Sequence, residues 1–119
     1  MREYKIRGKT IQEGRWVKGY LYAYNQGFRI EDEWWANDVI PETLGQYTGL
    51  PDENKQDVYE GDILFDDSGD DVYEVKFEDG KFVAILDGNV ELDLSEVAYR
   101  CSVIGNIHDN PELLEGKVE

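Results

Sequence analysis

Apolar and polar side chains alternate along much of this chain with a period of two, the spacing that sends successive residues to opposite faces of a β-strand. Residues 2–7 put Tyr4 and Ile6 on one side and Glu3, Lys5 and Arg7 on the other, and Gly8-Lys9-Thr10 ends the run. Residues 16–24, WVKGYLYAY, place Trp16, Lys18, Tyr20, Tyr22 and Tyr24 on one face and Val17, Leu21 and Ala23 on the other. Asn25-Gln26-Gly27 supplies a turn, and residues 28–31 can pair back as a hairpin. Trp34-Trp35 and Asp38-Val39-Ile40-Pro41 follow without an assignable period, and Pro41 limits a helix or central strand there.

Beyond residue 60 the strand signals come at regular intervals. Residues 62–65 form a short strand, 66–71 an acidic turn, and 72–78 a strand with Tyr73, Val75 and Phe77 on one face. Asp79-Gly80 is a hairpin turn signal. Residues 81–86 are apolar almost throughout, which predicts a central strand covered on both faces. Asp87-Gly88-Asn89 turns again, Val90, Leu92 and Leu94 alternate, residues 95–97 suit one helical turn, and 101–107 read as the last strand. Asn110 fits as N-cap and Pro111 as first residue of a short closing helix. Short strands with glycine-rich turns predict a mainly β fold. The expected form is a small SH3-like barrel over 43–108, or a strongly bent antiparallel sheet. Extra N-terminal strands fill 1–42 and a short helix and tail fill 109–119, all in one domain.

Composition narrows the function classes. The chain of 119 residues has one cysteine, Cys101, so no intrachain disulfide and no zinc site with paired cysteines is expected. No apolar run reaches signal-peptide or membrane-spanning length, which points to the cytoplasm and away from the membrane. The net charge is −15, and it is unevenly placed: residues 1–50 balance seven basic against seven acidic side chains, whereas 51–119 carry five against twenty. Such a field favours basic partners and repels nucleic-acid phosphates. Solvation of an acidic face explains the same charge more plainly.

The stretch GQYTGLPDENKQDVYEGD, residues 45–62, is patterned beyond what solubility requires. Gly49 and Gly61 can take positive φ, Pro51-Asp52-Glu53-Asn54 reads as a turn, and Tyr47 and Tyr59 carry large rings with polar tips. In the structural reading the stretch opens the barrel, with Asp62 and Glu60 bonded to local backbone. In the functional reading Gln46, Tyr47, Thr48, Tyr59, Glu60 and Asp62 form one polar, aromatic binding surface.

Catalytic and metal patterns are thin. The one histidine, His108, stands beside Asp109 with no matched nucleophile, and Cys101 reads as a small packing residue. Glu60 and Asp62, two residues apart, are a weak acid/base pair. Asp66, Ser68 and Asp70 imitate the start of an EF-hand loop, but Asp71 stands where its glycine belongs and Phe77 where its closing glutamate belongs. No metal or cofactor is expected. Trp16, Tyr20, Tyr22 and Tyr24 would suit a single-strand platform, yet the first half shows no basic track and core packing explains the rings more simply.

With residues 45–62 and 103–114 read together, the chain resembles the YopX family of phage and prophage proteins. The resemblance rests on Gln46-Tyr47-Thr48-Gly49-Leu50, then Asp52-Glu53-Asn54, then Tyr59-Glu60-Gly61-Asp62-Ile63-Leu64. It extends to Val103-Ile104-Gly105-Asn106-Ile107-His108-Asp109-Asn110-Pro111-Glu112-Leu113-Leu114 and the opening Arg2-Glu3-Tyr4-Lys5-Ile6-Arg7. It departs at Lys55, where the family usually has glycine, and it lacks the tryptophan expected after the opening strand. The resemblance implies a phage or prophage gene acting inside a bacterium and assembly into homo-oligomers, and it brings no reaction with it. The expectation is a non-enzymatic accessory protein whose acidic second half meets a basic protein partner. The alternatives are a self-assembling homo-oligomer with an interface on the aromatic N-terminal strands, and a small metal-dependent enzyme or nucleic-acid-binding barrel.

Overall fold

The computed structural model describes residues 5–115. The chain divides into two compact units inside one strand, between Tyr47 and Thr48.

The first unit is an antiparallel sheet. Its strands are β1 (Ile6–Lys9), β2 (Trp16–Tyr24), β3 (Gly27–Glu31), β4 (Ala36–Val39) and the opening of β5 (Gly45–Pro51), in the spatial order β4-β3-β2-β1-β5. The register pairs Gly8 with Val17, Leu21 with Ile30 and Phe28 with Val39. The sheet curls far enough for Thr10, just past β1, to bridge Val39 on the opposite edge strand. Inside the curl lie Val17, Ile30 and Val39, packed by Ile6 and Leu44. Thr43, in the 3-10 turn Pro41–Thr43, is buried: its hydroxyl donates to the Ile40 carbonyl at 2.6 Å and accepts the Lys9 N–H at 2.9 Å.

Three expectations change here. Of the predicted opening strand, residues 2–4 lie outside the described residues, and β1 continues through Gly8 and Lys9 instead of ending there. Gly8 belongs to the strand because a Cβ at that position would stand 2.9 Å from Leu44 Cδ2 and 3.2 Å from Ile30 Cδ1. The segment without a period contains β4, which buries only Val39 and so shows no apolar stripe. The tyrosines of β2 are not core: Tyr20 is 71% exposed, and on the opposite face Val17 is buried and Gly19 half-buried while Leu21 and Ala23 are exposed. Past Gly19 both faces of the strand are exposed, so its rings have no core to enter.

The second unit begins with the end of β5, which pairs with β6 (Asp57–Tyr59). Its main sheet has the order β10-β9-β8-β7-β11, with β7 (Asp62–Asp66), β8 (Asp71–Glu78), β9 (Lys81–Leu86), β10 (Val90–Asp93) and β11 (Ser102–Asn106). Asp79-Gly80 and Asp87-Gly88 take positive φ at both positions (53° and 82°, 56° and 80°), the geometry that tight hairpins require. Val83, Ala84 and Ile85 are buried in succession, so β9 is covered on both faces as its composition predicts. Val58, Leu64, Tyr73, Val75, Leu94, Val97 and Cys101 form the core.

In β11 the register slips between Val103 and Gly105, a bulge that bends the strand. A Cβ on Gly105 would meet Asn110 Oδ1 at 2.6 Å and Leu113 Cδ1 at 3.0 Å, so glycine there lets the short helix α1 (Glu112–Glu115) pack close. Asn110 precedes the helix as expected, with its carbonyl accepting the Leu113 N–H, but its side chain accepts the Asn106 N–H at 3.3 Å instead of capping. The fold is mainly β with two antiparallel sheets, and no barrel closes among the described residues. The bent sheet is the alternative realised. No helix among the described residues is long and apolar enough to cross a membrane.

Candidate functional site

The patterned stretch is a β-hairpin held by Thr48, Asp52 and Asp62. In the second unit the Thr48 hydroxyl donates to the Val58 carbonyl at 2.7 Å across β5 and β6, and accepts the Leu50 N–H at 3.2 Å. Asp52, 4% exposed, organises the turn. Its Oδ1 accepts the N–H groups of Asn54 (2.7 Å) and Gln56 (2.9 Å), and its Oδ2 accepts that of Val103 (3.0 Å) on β11. Glu53 extends the clamp: its N–H donates to the Cys101 carbonyl at 2.9 Å and its carboxylate accepts the Ser102 hydroxyl.

Lys55 sits at φ 67°, the left-handed region that costs a side chain about 1–2 kcal/mol. That backbone geometry accounts for the glycine of the family pattern. At the far end, Gly61 takes φ 93° and Asp62 Oδ2 accepts the Tyr59 N–H at 2.7 Å, closing the turn into β7.

The six residues expected to make one surface fall on both sides of the unit boundary. Gln46 and Tyr47 belong to the first unit, where Gln46 is exposed and the Lys5 ammonium lies 4.9 Å from the Tyr47 ring centroid. Thr48, Tyr59, Glu60 and Asp62 belong to the second. Tyr59 and Asp62 are 1% and 2% exposed, so neither presents its side chain to a partner. Glu60 is half-buried.

What the hairpin offers outward is a cavity of about 250 Å³ lined by Leu50, Pro51, Glu53, Lys55, Ala98 and Tyr99 among others. Tyr99 is 66% exposed. It stands in the 3-10 turn Ala98–Arg100, and Arg100 is fixed through Nη1 to the Glu96 carbonyl at 3.0 Å. Sequence reading missed Tyr99. Its signal was an aromatic side chain in a segment with no strand alternation and no apolar partner in register.

Asp66, first of the acidic turn, is committed elsewhere. Its Oδ1 accepts the Ser68 hydroxyl at 2.8 Å and its Oδ2 accepts Arg100 Nε at 2.8 Å. The guanidinium, then the serine hydroxyl, hold the Asp66 carboxyl below the usual carboxylate range. A carboxyl whose folded value is depressed stabilises the fold fully above its unfolded value, near about pH 4. That contribution fades as pH falls through the lower folded value. Asp66→Asn should therefore lower the melting temperature at neutral pH, with the gap to the native chain narrowing in acid. Melts between about pH 7 and pH 2.5 read it, and a gap constant with pH would overturn the assignment.

Burial, then the nearby Asp66 charge, push the Cys101 thiol up to about 11, so it stays protonated at neutral pH. Cys101 is fully buried at one end of β11 and His108 follows the other end. Among the described residues, no group of three or more His, Cys, Asp and Glu side chains is placed to hold a metal ion.

Residues 5–115 match the family described as YopX protein. The crystal structure of protein EF1440 from Enterococcus faecalis is similar in fold, with a TM-score of 0.64 over 96% of this chain and 99% of that one at 23% sequence identity. Among curated proteins none matches.

Proposed function

The chain belongs to the YopX family, and we propose that it is a non-enzymatic phage or prophage accessory protein that works in the bacterial cytoplasm through protein–protein contacts. The observation that carries this reading is the division of labour in the hairpin. Thr48, Asp52 and Asp62 spend their polar atoms on backbone groups of the hairpin and of β11, while Leu50, Pro51, Ala98 and Tyr99 leave an apolar notch facing out. A notch lined by an exposed tyrosine is the form of an interface anchor. The acidic excess lies in residues 51–119, so a basic surface is the complementary partner. Tyr47 and Tyr59, the rings of the binding surface expected from sequence, give way to Tyr99 in this reading.

The test is capture of partners from bacterial lysate by the native chain and by Tyr99→Ala, at about 50 mM and about 500 mM salt. A partner held by the native chain at low salt should be released at high salt, and the variant should bind it at least about tenfold more weakly, as expected for loss of an aromatic anchor. A partner retained equally in both salts and by both chains would sink the reading. A homo-oligomer is the second reading. It is favoured by Trp34 and Trp35, 75% and 69% exposed, which the Asp32 carboxylate holds in place by accepting both their N–H groups. Its mass in solution would persist at high salt.

A further inference from the structure

The period of β2 and its register with β1 and β3 assemble a second surface, on the outer face of the first unit. Tyr20, Tyr22 and Tyr24 follow one another along this face with a step of about 7 Å, and they are 71%, 36% and 44% exposed. Cations from three neighbouring strands stand among them. Arg7 lies opposite Lys18, Lys9 opposite Trp16, and Arg29 opposite Tyr22. The guanidinium of Arg7 lies 4.7 Å from the Trp16 ring centroid and that of Arg29 lies 3.9 Å from the Tyr24 centroid. Among the described residues the carboxylates sharing the face are Glu31, opposite Tyr20, and Asp38, which pairs with Arg29 at 2.8 Å. Cations thus outnumber carboxylates among the described residues of this face, although the whole chain carries −15. The basic track absent from the linear sequence is made by strand pairing.

We propose that this face binds single-stranded nucleic acid, with unpaired bases stacked on Tyr20 and its neighbours and phosphates against Lys18, Arg7 and Arg29. Two features select that occupant. A flat ring gains from covering by another π-face, and every unpaired base has one, whereas the bases of a duplex are already stacked. An acidic protein surface would answer the cations but would leave the row of rings uncovered. Cations interleaved with rings at strand spacing answer both halves of a nucleotide at once.

The experiment is fluorescence anisotropy of the full chain with a labelled oligothymidylate, a duplex of equal length, and polyglutamate as competitor. The oligothymidylate should bind, and should bind at least about tenfold tighter than the duplex. Tyr20→Ala and Tyr22→Ala should each weaken it by about 5- to 100-fold, while Tyr20→Phe, which keeps the ring, should restore it. Lys18→Glu should weaken binding and reduce the salt dependence by about one phosphate contact. All these side chains are outward, so circular dichroism should show the variants folded. Absence of binding at about 50 mM salt overturns the proposal. So does equal displacement by polyglutamate, or unchanged binding by folded tyrosine variants. Loss of self-association in Tyr20→Ala without any oligonucleotide binding would assign the face to a second copy instead. The proposal rests on the first unit alone, so its failure leaves the reading of the second unit standing.

Discussion

Asp52→Ala is expected to destabilise the second unit by about 2–4 kcal/mol, the largest effect of any single change in the patterned stretch. The carboxylate accepts three backbone N–H groups, from Asn54 and Gln56 in its own turn and from Val103 on β11. Hydrogen bonds to a charged group contribute about 1.5–3 kcal/mol each, but they do not add here. Asn54 and Gln56 are exposed, so water can replace the carboxylate at their N–H groups. The Val103 N–H lies in a partly buried strand and loses more.

Asp52→Asn separates the two terms. The amide oxygen can keep the turn, while its NH₂ would face the Val103 N–H donor to donor, so this variant should retain the turn and lose the link to β11. Chemical denaturation gives the total, and hydrogen exchange at the amides of Gln56 and Val103 divides it. A loss below about 1 kcal/mol in Asp52→Ala would show that the clamp is ornamental.

Much of this was written locally. Pro51-Asp52-Glu53-Asn54 announces a turn, and alternation announces β2, β8 and β10, because both depend on residues within a few positions of one another. The consecutive apolar residues of β9 announce a strand covered on both sides, which is what Val83, Ala84 and Ile85 show. The second bond of Asp52 was not legible, since Val103 lies 51 positions away and nothing near either residue names the other.

Alternation also leaves a choice that sequence alone does not make. It separates the faces of β2 without saying which is core. Hydrophobic size favoured the face with Trp16, Tyr20, Tyr22 and Tyr24, whereas the β2 residue that is buried is Val17, on the other face. The same reversal turns rings expected in a core into the candidate platform. The burial of Tyr59 and Asp62 was not legible for a related reason: polar and aromatic types in a glycine-rich stretch suit a buried turn as well as an exposed site.

Gly19→Ala is expected to cost the first unit about 3–5 kcal/mol, enough to prevent β2 and β3 from pairing at this point. A Cβ on Gly19 would stand 2.1 Å from the Glu31 carbonyl oxygen, 2.8 Å from its carbon and 3.1 Å from Asp32 Cα. All three are backbone atoms, so no rotamer change relieves the contact. Relief requires β3 to move away where Tyr20 pairs with Glu31. The usual gain from replacing glycine, about 0.4–1 kcal/mol from the unfolded chain, is too small to offset that. A glycine inside an otherwise regular strand is the sequence mark of such close backbone approach. Gly27→Ala is the control: its Cβ would meet only the Tyr24 carbonyl, at 3.7 Å, an ordinary contact, and stability should change by less than about 1 kcal/mol. Because Tyr20 follows Gly19 directly, the two variants also test the platform as architecture. Gly19→Ala should abolish oligonucleotide binding together with protection of the β2–β3 amides, and Gly27→Ala should preserve both. Binding that survived loss of the β2–β3 pairing would mean that the rings act without their sheet, and the proposed spacing of bases on strand positions would fall.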